Sequence, residues 1–301
     1  MSAQTPLVVE AGELTNVDRQ RRVTLAAVAA ALGISLGLAS LLVSGLRRTA
    51  PSSDLLLKPA VVGWIQEAAQ GPAEQTAKTP APPAHQSWDS PLLKHCPVAD
   101  GALRQRLMAM PLQVSSIKAD PSNYAARVHL DAKGQRLDPQ PAVIVLHETV
   151  YSLESAVNSF TTPHLSDNDQ ASYHTLVGLN GEIVQVVNPK MRAYGAGNSA
   201  FDGRWVFTSR NFSGSVNNFA LHVSLETPPD GVNATLGHSG YTAAQYDALS
   251  RVIADWMVRF HIKPEAITTH RFVDMGGERA DPRSFAWDEL QLRLTALGLL
   301  C

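Results

Sequence analysis

Residues 142–149 read AVIVLHET. Five apolar residues, three of them β-branched, run without a polar break and then meet His147. A run of that length and make-up predicts a strand buried on both faces, as in the middle of an α/β sheet. Further along, Tyr173–Leu179 and Glu182–Val187 flank Asn180-Gly181. Asn-Gly between apolar alternations predicts a hairpin whose turn residues reach positive φ. Phe219–Leu225 is a further candidate strand, and Glu154–Phe160 a short helix. In Thr242–Phe260, Tyr246, Leu249, Val252, Ile253, Trp256 and Phe260 recur at three- and four-residue steps, the pattern of an amphipathic helix. Thr242 with Gln245 three residues on has the form of a capping box. Leu103–Met110 reads as a short helix near the start of the ordered region. Strands mixed with helices predict an α/β domain at 101–301, with a single mixed central sheet flanked by helices.

Upstream of that domain the composition changes twice. Val23–Leu46 carries no charge over 24 residues, enough for a helix at ~1.5 Å per residue to cross a ~30 Å hydrocarbon core. Arg19, Arg21 and Arg22 precede it, and Arg47 and Arg48 follow. The expectation is a retained transmembrane signal anchor at 23–46, with a short cytoplasmic segment at 1–22 and the bulk exported. A cleaved signal peptide is the alternative, although its apolar region is usually shorter, at ~7–15 residues. Residues 47–100 contain eight of the chain's 19 prolines and read as a Pro-rich linker. The expected location is therefore the inner membrane, single-pass, with the domain in the periplasm or extracytoplasmic space.

The 301 residues carry 25 Lys+Arg against 27 Asp+Glu, a net charge of -2 that supplies no electrostatic reason to expect nucleic acid as a partner. Cys96 and Cys301 are too few for a disulfide scaffold or a Cys-rich zinc module. They can form one bridge in an oxidising compartment, but their spacing does not decide it.

Histidines sit where strands are expected to end. His147 follows AVIVL, and His270 follows the β-like run Ala266–Thr269. Asp281 lies eleven residues past His270, across a loop containing Gly276-Gly277. Two imidazoles and one carboxylate make a mononuclear zinc set that leaves a fourth position for water. A lone histidine at a strand end also serves as an ordinary structural hydrogen-bonder, and spacing alone does not choose between the two.

Several motifs in order extend the reading. VIVLHET, ASYHTLVGLNGEIVQVV, YGAGNS, NNFALHVSLE, YTAAQYDAL and ITTHR…RADP together resemble the zinc-dependent N-acetylmuramoyl-L-alanine amidases of the type-2 amidase family, whose fold peptidoglycan recognition proteins share. The resemblance spans about Ala142 to Leu290. It implies Zn2+ held by His147, His270 and Asp281, with an apparent one-residue insertion between the last two. It implies hydrolysis, by a zinc-activated water, of the amide joining N-acetylmuramic acid to L-alanine in peptidoglycan or muropeptides. Many relatives place a proton-carrying glutamate where this chain has Ser224. Glu226 lies two residues on, on the same face of a strand, and is the expected general base. Tyr173 and Arg279 match positions able to hydrogen-bond or electrostatically stabilise an oxyanion. His174 is expected to support the site, while His164, His222, His238 and His261 are expected to be structural or at the surface. Glu148 should point away from His147 by strand alternation. The competing reading is a non-catalytic peptidoglycan- or muropeptide-binding module. A zinc peptidase is less favoured, because the chain has no His-Glu-x-x-His motif.

Overall fold

The computed structural model describes residues 87–209, 213–233 and 236–301. The expected membrane anchor at 23–46, the segment at 1–22 and the linker up to residue 86 lie outside the described residues. Among the described residues no helix is long and apolar enough to cross a membrane.

In chain order the elements are α1 (Gly101–Ala109), β1 (Val114–Ser116), β2 (Tyr124–Ala126), β3 (Val143–Glu148), α2 (Leu153–Thr161), β4 (Thr175–Val177), β5 (Ile183–Gln185), β6 (Met191–Ala193), β7 (Ala220–Leu225), α3 (Ala243–Phe260), β8 (Ile267–Thr269), α4 (His270–Val273) and α5 (Trp287–Ala296). A six-stranded sheet has the order β1-β5-β4-β7-β3-β8, with β2 and β6 forming a separate antiparallel pair. Within the large sheet only β4 and β5 run antiparallel; the other neighbours are parallel. The expected α/β architecture with one mixed central sheet is what the chain adopts.

AVIVL becomes the buried strand β3, and all six of its residues are buried. Alternation divides its side chains between two cores. Ile144 and Leu146 join Leu221, Val223 and Leu225 of β7, Leu249, Ile253 and Trp256 of α3, and Leu290 and Leu294 of α5. Val143 and Val145 face the other way, onto Phe201, Val216, Phe219 and Val273. Helix α3 opens with the expected capping box: the Thr242 hydroxyl accepts from Gln245 N–H, and the Gln245 side chain accepts from Thr242 N–H.

Two expectations need correction. The hairpin between β4 and β5 turns through Gly178–Gly181 with positive φ only at Gly181, where it is 81°. The Gly178 carbonyl accepts from Gly181 N–H and the Glu182 carbonyl from Gly178 N–H. Adding residues to the turn leaves a single left-handed position, which glycine takes without the Cβ penalty. The linker also does not run to residue 100. Leu92 is fully buried in the α3–α5 core, and Trp88 packs on Phe272 at 4.5 Å. The Gln291 amide donates to the carbonyls of Leu92 and His95, and Cys96 is bonded to Cys301. Residues 88–96 thus belong to the domain, because one leucine, one tryptophan and one cysteine outweigh their proline-rich setting.

Candidate metal centre

His147 and His270 are delivered by adjacent parallel strands. Ile144, Val145 and Leu146 of β3 pair with Ile267, Thr268 and Thr269 of β8. His147 is the next residue of β3, and His270 opens α4 directly after β8, with Thr269 as its N-cap. Asp281 returns through a loop organised by Asp274, whose carboxylate accepts the N–H groups of Gly276, Glu278 and Arg279. Arg271 N–H donates to the Asp281 carbonyl at 2.9 Å, which closes the loop beneath His270.

The three expected ligands come together. His147 Nδ1 lies 3.2 Å and His270 Nδ1 3.1 Å from the Asp281 carboxylate. One ligand atom from each of the three lies within 4.8 Å of the others. Ligands at ~2.0–2.2 Å around a tetrahedral ion are ~3.4 Å apart, so the spacing fits a single zinc-sized cation. The protonation states fit as well. Burial pushes the His147 imidazole down to about 4, although the Asp281 carboxylate pulls the other way. The Asp281 carboxyl is held well below the usual range: its hydrogen bonds with His147 and His270 outweigh burial, which opposes ionisation. Neutral imidazole and ionised carboxylate are the forms a divalent ion binds.

Around this centre lies a groove of about 640 Å³ lined by His270, Tyr173, Arg279, Arg192, Tyr194 and Asn217, among others. The Tyr173 ring stacks on His147, with centroids 4.3 Å apart, and meets Phe160 edge-on at 5.3 Å. Burial raises its phenol far above the ordinary value, so the O–H stays protonated and able to donate. Arg279 is exposed at the rim of the groove. A larger cleft of about 840 Å³, lined by Trp88, Phe272 and Trp287 among others, takes in sequence neighbours of His270 and Asp281 but none of the three ligands.

Glu226 is placed differently from the expectation. Chain pairing in β7 ends at Leu225, and Glu226 turns to bind the backbone of two other elements. One carboxylate oxygen accepts Leu153 N–H at the start of α2, at 2.9 Å, and the other accepts Leu179 N–H in the hairpin, at 3.0 Å. It is not among the described residues lining the groove. Its geometry is that of a bracket joining α2 to the hairpin. Ser224 is buried opposite His147 in the β3–β7 register, and its hydroxyl makes no hydrogen bond.

Two further histidines lie buried next to the centre. His222 is fully buried, and its Nδ1 lies 2.9 Å from His147 Nε2. His174 is also fully buried; its Nδ1 accepts His222 N–H at 2.9 Å, and its Nε2 lies 3.1 Å from the Met191 carbonyl. Burial, reinforced by Arg127, pushes the His174 imidazole down to about 3. His222 shares a strand face with Ser224, the residue paired with His147. Glu148 points away from His147, as expected, yet it is not solvated. It is buried and accepts from the Arg283 guanidinium, from Tyr241 Oη at 2.8 Å and from His238 Nε2 at 3.1 Å.

Residues 137–284 match the family model described as N-acetylmuramoyl-L-alanine amidase. Among solved structures, the chain is similar to a selenomethionine derivative of AmpD, with 22% identity over 65% of this chain and 98% of that one, at a TM-score of 0.45. It is similar to the N-acetylmuramyl-L-alanine amidase AmiD from E. coli in complex with anhydro-N-acetylmuramic acid-L-Ala-D-gamma-Glu-L-Lys, with 24% identity over 57% of this chain and 65% of that one (TM-score 0.40). The Staphylococcus aureus hydrolase AmiA is similar at 15% identity over 69% of this chain and 98% of that one (TM-score 0.42). No curated protein matches the chain.

Proposed function

Because residues 137–284 belong to the N-acetylmuramoyl-L-alanine amidase family, we propose that this chain hydrolyses the amide between the lactyl group of N-acetylmuramic acid and L-alanine, in peptidoglycan or its fragments. The observation that carries the reading is the convergence of His147, His270 and Asp281 at the ends of neighbouring elements, beside a groove of about 640 Å³. Those three residues would hold a zinc ion. When bound, it supplies Lewis acidity toward a carbonyl oxygen and acidifies water. The chain's own residues shape the rest. Burial keeps the His147 imidazole neutral, and its hydrogen bonds keep the Asp281 carboxylate ionised, at neutral pH. Tyr173, held over His147, presents a phenolic donor at the groove, where negative charge would develop on the amide oxygen. Arg279 places a fixed positive charge on the same rim and, with no proton to give, acts through its field alone.

A metal-loaded digestion of purified sacculi tests the reading, with product masses and counts of new L-alanine amino termini. Wild-type protein should release stem peptides by cleavage at the lactyl amide, and His147→Ala should release none. A binding module is the second reading. It is favoured by Ser224 at the position where relatives often carry a glutamate, together with the commitment of Glu226 to two backbone N–H groups. Zinc bound at one ion per chain with sacculi retained but uncut would establish that reading instead.

We also propose that the domain works outside the cytoplasm, tethered by Val23–Leu46 to the inner membrane. The Cys96–Cys301 bond supports an oxidising compartment, since such bonds persist poorly in the cytosol. Full recovery of the chain in the soluble fraction after carbonate extraction would count against the tether.

A further inference from the structure

Beneath the metal centre lies a line of three buried histidines that ends on the backbone. His174 Nε2 faces the Met191 carbonyl at 3.1 Å, so that nitrogen carries the proton and donates. Its Nδ1 is then free to accept the backbone N–H of His222, at 2.9 Å. This bond holds the His222 main chain from the β4 side. The rings of His174 and His222 lie nearly parallel, with an interplanar angle of 6° and centroids 5.7 Å apart. On its other side His222 lies against Gly195, where a Cβ would fall 2.4 Å from the imidazole Cγ. Only glycine at 195 leaves room for that ring. The imidazole is thus fixed in place by a hydrogen-bonded strand below and a bare backbone beside it.

So held, His222 Nδ1 meets His147 Nε2 at 2.9 Å. One nitrogen of the pair must donate and the other accept. His147 points its other nitrogen, Nδ1, at Asp281 and the centre. A cation there needs a lone pair on His147 Nδ1, which forces the His147 proton onto Nε2. That proton needs an acceptor, and His222 Nδ1 is the acceptor in place.

We propose that His222 is a positioning residue for the metal centre: its Nδ1 accepts the His147 Nε2 proton and so holds His147 in the tautomer and orientation that offers Nδ1 to the ion. This rests on the metal-binding reading given above. In the zinc-loaded state His222 then carries its own proton on Nε2. That nitrogen is buried and has no hydrogen-bond partner, which marks the cost of keeping Nδ1 as the acceptor.

The test is made on the full chain, with zinc affinity read by competition with a chromophoric chelator. His222→Phe keeps a ring beside Gly195 and removes the acceptor; its zinc affinity should fall by about 10- to 100-fold. His222→Asn puts an amide oxygen near the place of Nδ1 and should recover most of the loss. Unchanged affinity in His222→Phe overturns the proposal, as does equal loss in both variants while the metal-free thermal midpoints match wild type. Long-range 1H–15N spectra of the zinc-loaded wild type give a reading that needs no variant. They should show His147 protonated at Nε2 and His222 unprotonated at Nδ1; a proton on His222 Nδ1 overturns the assignment. Failure of the wild-type chain to bind zinc at all would instead remove the metal-centre reading.

Discussion

Removal of the Cys96–Cys301 bond should lower stability by several kcal/mol while leaving the native fold unchanged. The two cysteines are 205 residues apart in sequence, so the bond closes almost the whole domain into a loop. In the chain-entropy treatment, a loop of that length restricts the unfolded ensemble by about 18 cal/mol/K, or about 5 kcal/mol at 25 °C. The folded side has little to lose. Leu92 is fully buried, the Gln291 amide holds the carbonyls of Leu92 and His95, and the last turn of the chain packs through Leu300. These contacts keep both ends of the bridge close together without the bond. The perturbation is the double variant Cys96→Ser/Cys301→Ser, and the assay is urea denaturation followed by circular dichroism and tryptophan fluorescence. With a slope of about 3 kcal/mol/M, the midpoint should fall by roughly 1.5–2 M. Native spectra should coincide, and added reductant should bring the wild type down to the variant. A midpoint shift below about 0.3 M would refute the reasoning, since it would mean that the unfolded chain gains almost nothing from being opened. A large shift accompanied by altered native spectra would refute it differently, by placing the loss in the folded state.

Two further predictions concern charge. His147 and His174 are held neutral by burial, with values pushed down to about 4 and about 3. Unfolded, each takes a proton near pH 6.5. Stability of the metal-free chain should therefore be complete above about pH 6.5 and should fall, by about 1.4 kcal/mol per pH unit for each histidine, as the pH drops toward those lower values. Urea midpoints in chelator at pH 7, 6 and 5 check this; a flat profile would show that the imidazoles are not buried. Arg283→Ala should cost about 3–5 kcal/mol, because it strands the buried Glu148 carboxylate beside His238 and Tyr241. It should also weaken zinc binding, since Arg283 lies two residues past Asp281; a loss below about 1 kcal/mol in chemical denaturation would place Glu148 in water.

The sequence carried the frame of the site more clearly than its interior. An apolar run ending in His147 and a β-like run ending in His270 were readable because a buried strand has a compositional signature and its end is a fixed place. Thr242 and Gln245 were readable for a similar reason, since a cap is a local rule. His222 was not. In β7 both faces are buried, so alternation gives no contrast, and a histidine there looks like any other core residue. Glu226 lies off the groove for a related reason. Parity placed it on the proper face, but the strand stops one residue earlier, and two unpaired backbone donors, at Leu153 and Leu179, take its carboxylate. Three-residue strands such as β1, β2 and β6 are too short to leave a periodic mark. Residues 88–96 were hidden by their prolines, although Trp88, Leu92 and Cys96 are what attach them.

The ladder between β3 and β8 has a practical consequence. Main-chain spacing, rather than any loop, sets the distance between the two histidines, since Leu146 is paired with Thr269 immediately before both of them. The segment at 167–171, which walls part of the groove, lies outside that ladder. It can change in length and polarity while the ion pocket keeps its dimensions, so a library aimed at new glycopeptide preferences should vary it and spare the strands, Tyr173 and Gly195. Slippage of β8 by one residue would do the opposite. With every side chain intact, His270 would be thrown to the far side of the sheet and the pocket would cease to exist.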